Sequence, residues 1–408
     1  MIRDRVQWLF VDLNSYFASV EQQINPKLRG RPVAVVPMLA DTTSCIAASH
    51  EAKLLGIKTG TRVAEAKRLC PEITLIAGDH SKYIEYHEKI VRAVEKCLPI
   101  TAVQSIDEMA CKLMGKEQEI PNATQLGHQV KQSILKNAGD YLRCSVGLAP
   151  NRFLAKVASD FQKPDGLTVF RKSELREKLL TLKPRDLPGI GAQMEKRLML
   201  LGVRDMTKLL SLTIEEMRQA WGGINGEYMF QWLRGEQTED RQTNRRSIGH
   251  SHVLAPEMRE KEKAFLVTQK LLHKSAARLR KENFWCSRLS LSISFSDRDE
   301  NFQENISFLE CRDDITLLEA LRELWRTVPR FATPLKTGVV LEGLVSDENH
   351  TLSLFANPRR EKLSEALDGI NARFGKGTLN FASQQAISGA APTRIAFTNI
   401  PDIETEIL

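Results

Sequence analysis

Three acids in this sequence could carry chemistry. Asp12 closes an apolar run at residues 8–12, and the pair Asp107 and Glu108 opens another at residues 109–114. If those runs are neighbouring strands, three carboxylates meet at one place. They repel one another unless cations neutralise them, and hard oxygen donors favour Mg2+. Two such ions activate an attacking oxygen and stabilise a leaving one, the route used for phosphoryl and nucleotidyl transfer. On residue type alone, solvated surface charge explains such a trio as readily, because exposed acids are common.

The elements that must position these acids follow from periodicity. A helical pattern at residues 16–23 succeeds the first strand, and a second apolar run at 32–36 comes after Asn25, Pro26 and Gly30. Strand-like runs recur at 74–76, 109–114 and 143–148, separated by amphipathic stretches at 82–97 and 124–137. Strands alternating with helices to about residue 170 predict a single sheet covered by helices, an α/β unit. From 173 to about 233 the strand signals vanish, and Pro184, Pro188, Gly189, Gly191 and Gly202 punctuate short helices of an all-α segment. Residues 238–246 (TEDRQTNRR) are polar and end in Arg245 and Arg246, as expected of a linker on the surface or on a charged partner. An α+β module follows, with helices predicted at 265–280 and 317–325. Its strands are predicted at 288–295, where polar and apolar residues alternate, and at 337–344. A further helix is expected at 361–374, before a polar C-terminus.

Composition sets the bounds. A chain of 408 residues exceeds one typical domain, and 42% hydrophobic with 27% charged residues is the balance of a folded protein, not a disordered one. Lys and Arg number 58 against 51 Asp and Glu, a net +7 that mildly favours a polyanionic partner. The seven cysteines form no C-x-x-C pair and read as reduced thiols. No signal-peptide pattern or membrane-length apolar stretch is present, so a cytoplasmic protein without a membrane partner is expected.

Two further motifs point to partners. Residues 187–191 (LPGIG), followed by Leu201, Gly202 and Val203, form a helix-hairpin-helix signature, in which glycines permit a tight turn that exposes backbone N–H groups to a DNA phosphate. Any Gly-rich turn between helices gives a similar string. Residues 351–355 (TLSLF) resemble the pentapeptide that docks on the bacterial sliding clamp, with Thr351 where Gln is usual. Leu352, Leu354 and Phe355 would be its anchors, although a terminal strand could carry the same residues.

The surrounding strings carry a resemblance to a known family. Residues 11–21 (VDLNSYFASVE), 105–109 (SIDEM) and 145–156 (SVGLAPNRFLAK), with Lys163, Pro164, Asp165 and Gly166 behind them, resemble in order the motifs of the Y-family DNA polymerases. The likeness spans about residues 7 to 355 and is fainter beyond. It implies a multidomain α/β and α+β right-hand polymerase. The palm would be residues 1–20 and 77–170, the fingers 21–76, a helix-hairpin-helix thumb 171–237, a linker 238–246, the little finger 247–355 and a C-terminal extension 356–408.

Carried over by position, the resemblance makes Asp12, Asp107, Glu108 and the Leu13 carbonyl the ligands of two Mg2+ ions. Phe17 becomes the ring that fills the space of a ribose 2′-OH, the alternative being an ordinary core aromatic. Tyr16, His50, Lys53 and Lys163 would face the incoming deoxynucleoside triphosphate; His50 and Lys53 stand where Tyr and Arg are usual, and lysine lacks arginine's bidentate fork. Gly189, Gly191, Arg245 and Arg246 would hold primer-template DNA through its phosphates. Asn14 replaces a common Asp, a variant similar to the catalytic subunit of bacterial polymerase V more than to polymerase IV, and residues 367–378 resemble the same subunit's tail. The implied function is low-fidelity translesion synthesis in DNA damage tolerance and the SOS response, with the sliding clamp and accessory mutasome subunits or a recombinase filament as partners. The alternatives are a non-catalytic clamp-bound scaffold and a metal-dependent nuclease.

Overall fold

The structure, a computed structural model, describes residues 4–238, 245–297, 300–329, 332–351, 357–375, 377–387 and 400. The chain divides into two compact units after Asp240. In the first, β1 (Trp8–Leu13) leads into α1 (Tyr16–Ile24), β2 (Val33–Val36), β3 (Ala47–Ala48), α2 (His50–Leu54), α3 (Val63–Leu69), β4 (Thr74–Ala77) and α4 (His80–Glu95). Then come β5 (Ala102–Val103), β6 (Glu108–Lys112), α5 (Ile120–Asn137), β7 (Cys144–Ala149), α6 (Arg152–Phe161) and β8 (Leu167–Val169). Five short helices close the unit: α7 (Leu175–Leu180), α8 (Ala192–Leu200), α9 (Met206–Ser211), α10 (Ile214–Trp221) and α11 (Ile224–Trp232).

The expected single sheet is two. Strands run in the order β5-β6-β1-β7-β8 in one sheet, and β3-β2-β4 form a second. The apolar runs near residues 33 and 75 pair with each other, in parallel, and not with the first strand. Periodicity identifies a strand but is blind to its partner, and this is where the expectation failed.

All six residues of β1 are buried, as befits a central strand covered on both faces. It pairs antiparallel with β6 and with β7, whereas β7 and β8 are parallel. α6 lies across β1 and β7, and Gly147 in β7 makes that contact intimate: a Cβ there would stand 1.9 Å from the Ala155 carbonyl oxygen and 2.4 Å from the Ser159 nitrogen. Side chains alternate along a strand, so Trp8, Phe10 and Asp12 share the face that α6 covers. Trp8 and Phe10 join Leu154, Val157, Phe170 and the buried leucines of α7 to α9 in one apolar core. Asn151 caps α6 by accepting from Leu154 N at 2.8 Å and donates to the carbonyls of Trp232 and Glu236, both at 2.9 Å. The helical segment is thereby bonded to the end of the sheet.

The second unit contains β9 (Ser247–Val253), α12 (Lys261–Lys281), β10 (Phe284–Phe295), β11 (Phe302–Cys311), α13 (Asp314–Thr327), β12 (Pro334–Glu342), β13 (Val345–Ser346) and α14 (Pro358–Phe374). Its sheet runs β11-β10-β12-β9. The alternation at residues 288–295 is realised: Leu289, Leu291, Ile293 and Phe295 of β10 are buried against α12 and α13. α14 is tied to this core by Arg280, which bonds Asp368 at 2.5 Å and Asp314 at 3.0 Å. Arg312 adds bonds to Glu361 and Glu365.

Candidate active site

The register of one sheet brings the three acids together. Asp12 on β1 is the Cα partner of Glu108 on β6, and Leu13 N donates to the Asp107 carbonyl at 2.9 Å. Residues far apart in sequence therefore lie side by side because two antiparallel strands end there. Asp12 is 4% exposed. Its Oδ1 accepts from Lys163 Nζ at 2.7 Å, and its Oδ2 accepts a short bond from Lys156 Nζ. The same Lys156 ammonium reaches Glu108 Oε1 at 2.8 Å and stands over the Phe10 ring, 5.6 Å from its centroid. Asp107 stands to one side, accepting from Ser105 Oγ at 2.6 Å. Asp160, one helical turn after Lys156, takes Lys156 at 3.1 Å and Lys163 at 2.7 Å.

Charge is not balanced in this cluster. Burial pushes the Asp107 carboxyl above the ordinary carboxylate range, and the neighbouring Asp12 charge adds to it against the Ser105 bond. Burial does the same to Glu108, with Asp12 and Asp107 adding and Lys156 opposing. Burial alone would lower the Lys156 ammonium, yet Asp12, Asp160 and Glu108 overrule it and hold it above the usual lysine value. Asp12, Asp107, Glu108 and Asp160 thus stand with the Lys156 and Lys163 ammonium groups and with Lys53 further off, so acids outnumber lysines by count, while the upward shifts follow first from burial. An oxygen-only donor set with surplus negative charge is chemically suited to a hard divalent cation. Among the described residues, however, no three His, Cys, Asp or Glu side chains close on one point as a metal cage, and Lys156 lies between Asp12 and Glu108.

The residues expected to face a nucleotide divide. Phe17 is half-buried and stacks on Tyr83 at 4.3 Å between centroids, and Tyr83 is fully buried with its hydroxyl on Glu21 at 2.8 Å. The ring is therefore supported from behind and partly open in front. Lys53 feels Lys163, Asp12 and Asp107; burial first, then the Lys163 charge, pulls it below the ordinary lysine value. Lys163 is at the cluster itself. Tyr16 goes the other way: it is 4% exposed and its hydroxyl donates to the Tyr83 carbonyl at 2.6 Å. Only its backbone, in the first turn of α1, is left to meet a ligand. His50 is exposed at the start of α2, which Ser49 caps.

Asn14 fixes a loop. Its Nδ2 donates to Ser145 Oγ at 3.0 Å and its Oδ1 accepts from Asp165 N at 2.7 Å. Lys131 holds the same loop through the Asp165 carboxylate at 2.6 Å and the Cys144 carbonyl at 2.8 Å. Sequence reading assigned no role to Lys156, Asp160, Asn151 or Lys131. The only available signal was the Lys156, Asp160, Lys163 spacing, which places three charges on one helical face and its exit.

Elsewhere, Gly189 has φ 85°, a left-handed turn that favours glycine, and Gly191 is the N-cap of α8. A Cβ at either position would meet nothing within 4 Å, so the turn is open. Arg245 and Arg246 are exposed ahead of β9, and Arg245 pairs with Glu282. Thr351 is exposed; Leu352, Leu354 and Phe355 lie outside the described residues, as does most of the linker at 239–244.

Comparison with known proteins agrees with this geometry. Residues 11–160 match the impB/mucB/samB family, 245–354 the C-terminal domain of that family, and 185–237 the thumb domain described for DNA polymerase-iota. Residues 361–391 match a domain of unknown function. The chain is 32% identical over 395 residues to DNA polymerase IV of Moorella thermoacetica, covering 94% of this chain and 97% of that protein. It is 30% identical over 382 residues to DNA polymerase IV of Pelotomaculum thermopropionicum, covering 91% and 93%. Among solved structures, a Y-family DNA polymerase chimera of Dbh and Dpo4 matches with a TM-score of 0.70 at 25% identity, over 83% of this chain and 99% of that one. The insertion ternary complex of Dbh DNA polymerase matches with a TM-score of 0.56 over the same shares. Relatedness to DNA polymerases over nearly the whole length shows that this chain belongs to the Y-family DNA polymerases and is a DNA-directed DNA polymerase.

Proposed function

We propose that this polymerase transfers a nucleotidyl group from a deoxynucleoside triphosphate to a primer 3′-OH on damaged template, with low fidelity, through two Mg2+ ions. The ligands would be Asp12, Asp107, Glu108 and the Leu13 carbonyl. The observation that carries this reading is the Asp12 and Glu108 pairing across β1 and β6, with Asp107 bonded to Leu13 beside it. When bound, magnesium at these oxygens supplies Lewis-acid activation of the primer hydroxyl and charge neutralisation at the triphosphate.

The chain's own residues do the rest. Lys53 and Lys163 offer two cations to the triphosphate from separate elements, and Lys53, standing where arginine is usual, offers a point charge in place of a bidentate fork. Phe17, backed by Tyr83, occupies the space next to the sugar and excludes a 2′-OH. Ser105 orients Asp107, and Asn14 fixes the loop from which Lys163 reaches in. The Gly189 to Gly191 turn meets DNA phosphate with backbone N–H groups, and Arg245 and Arg246 add salt-sensitive, sequence-independent contacts. The Dbh insertion ternary complex, a related fold, supports nucleotide and DNA as ligands. Palm, fingers, thumb and little finger are assigned to the segments given above, residues 351–355 to a sliding clamp, and the enzyme to cytoplasmic damage tolerance.

The test is primer extension with Mg2+ on a primed template. Asp107→Ala should reduce extension by at least about 1000-fold while DNA affinity stays within a factor of two, since removal of a metal ligand acts on chemistry and not on phosphate contacts. Equal extension by the two proteins refutes the metal assignment.

A further inference from the structure

The Lys156 ammonium sits between two of the proposed metal ligands, bonded to Asp12 and at 2.8 Å from Glu108, in a half-buried place where an unpaired cation would be unstable. Its remaining partner is Asp160 at 3.1 Å, and Asp160 also binds Lys163, the second lysine on Asp12, at 2.7 Å. Asp12 and Asp160 therefore accept the same two lysines. One acceptor lies on β1 and the other on the helix that carries Lys156. We propose that Lys156 is a tethered counter-cation that holds the carboxylates together before metal binds, and that Asp160 is the positioning residue onto which Lys156 and Lys163 retire when metal takes Asp12 and Glu108.

The argument is one of competition. A lysine and a divalent ion that share the same two carboxylate oxygens exclude each other, so metal affinity is set by the difference between two cation sites. Without Lys156, the buried Asp12 and the half-buried Asp107 and Glu108 would repel one another more strongly until a metal ion neutralised them. Without Asp160, a lysine leaving Asp12 would have no acceptor and would stay. This inference rests on the metal reading above, and Asp12→Asn separates the two.

Binding of Mn2+ to the full-length protein without DNA, followed by the electron paramagnetic resonance of free Mn2+, tests it. Lys156→Gln should tighten Mn2+ binding by on the order of tenfold, a modest share of the Coulomb energy of an ammonium touching two carboxylates. Asp160→Asn should weaken it severalfold, and that weakening should shrink in the Lys156→Gln background, because Asp160 acts through the lysines and not through its charge alone. Lys156→Gln should also make the melting temperature depend more steeply on added Mg2+. Unchanged or weaker Mn2+ binding in Lys156→Gln overturns the counter-cation role. An equal Asp160→Asn effect in both backgrounds overturns the positioning role. If Asp12→Asn leaves Mn2+ binding intact, the metal reading fails and this inference with it; if Asp12→Asn abolishes binding while Lys156→Gln changes nothing, only this inference falls.

Discussion

Gly147→Ala places one methyl group between the central sheet and α6, and the structure fixes what that does. The new Cβ would lie 1.9 Å from the Ala155 carbonyl oxygen and 2.4 Å from the Ser159 nitrogen, both backbone atoms that cannot rotate away. Ordinary contact begins near 3.4 Å, so α6 must lift by about 1.5 Å or the strand must bend. Inserting a methyl into a packed core costs about 1–3 kcal/mol where side chains can adjust. A collision with helix backbone belongs at or above the upper end, about 3 kcal/mol. For a unit of this size each kcal/mol lowers the midpoint by about 2–4 °C, giving a fall of about 6–12 °C in the first unit's transition. The catalytic consequence is larger in proportion. α6 carries Lys156 and Asp160 and ends just before Lys163, and a shift of about 1 Å in groups that position reactants costs about 100-fold in rate. Calorimetry and steady-state primer extension measure both. Gly369→Ala is the control: it lies inside α14 with nothing within 4 Å of its Cβ and should stabilise by up to about 1 kcal/mol. A Gly147→Ala protein that melts within 2 °C of the parent and extends primers at the parental rate would show that α6 does not rest on this glycine.

Other changes have equally specific outcomes. Phe17→Ala opens the space in front of Tyr83 and should lower discrimination against ribonucleotides by on the order of 10- to 100-fold in kcat/KM, read by paired single-nucleotide insertion assays; unchanged discrimination removes Phe17 from that role. Asn151→Ala loses the α6 cap and two bonds to the Trp232 and Glu236 carbonyls, and should cost about 2–3 kcal/mol in denaturant unfolding, with Asn151→Asp recovering the cap's share. Burial pulls His87 below the ordinary histidine value, so the unfolded chain binds the extra proton between the ordinary and lowered values and stability is lost as pH falls through about 6.5. His87→Asn, which can keep a donor to the Ile106 carbonyl now 2.7 Å from the ring, should flatten that slope in melting curves taken from pH 8 to pH 5; an unaltered slope assigns the pH dependence elsewhere.

What the sequence made legible, and what it hid, follows from how local each signal is. The Asp12, Asp107 and Glu108 trio was readable because each acid ends or starts an apolar run, and strand ends are where a sheet delivers side chains to an edge. The division into two sheets was not, since β2 and β4 pair with each other across an intervening helix pair that carries no pairing information. β3 and β5, two residues each, are too short for any period to register. Tyr16 reads as a neighbour of Phe17, but one helical step buries its ring, with the hydroxyl on the Tyr83 backbone carbonyl, while the Phe17 ring stays partly open. Lys156 in a helix reads as a solvated charge; only the packing of α6 on β7 at Gly147, next to β1, reveals that it faces Asp12.

The two lysines on Asp12 reach it from independently anchored elements, and this explains the unusual Asn14. Lys156 arrives on α6, fixed by the Gly147 approach and the Asn151 cap. Lys163 arrives from the loop that Lys131 grips at Asp165 and that Asn14 holds by accepting from the Asp165 backbone. Asn14 accepts from Asp165 N and donates to Ser145 Oγ while carrying no charge. A carboxylate there would add a fifth negative charge to a cluster whose Asp107 and Glu108 are already pushed upward. Asn14 therefore holds the loop that carries the second lysine without deepening the repulsion.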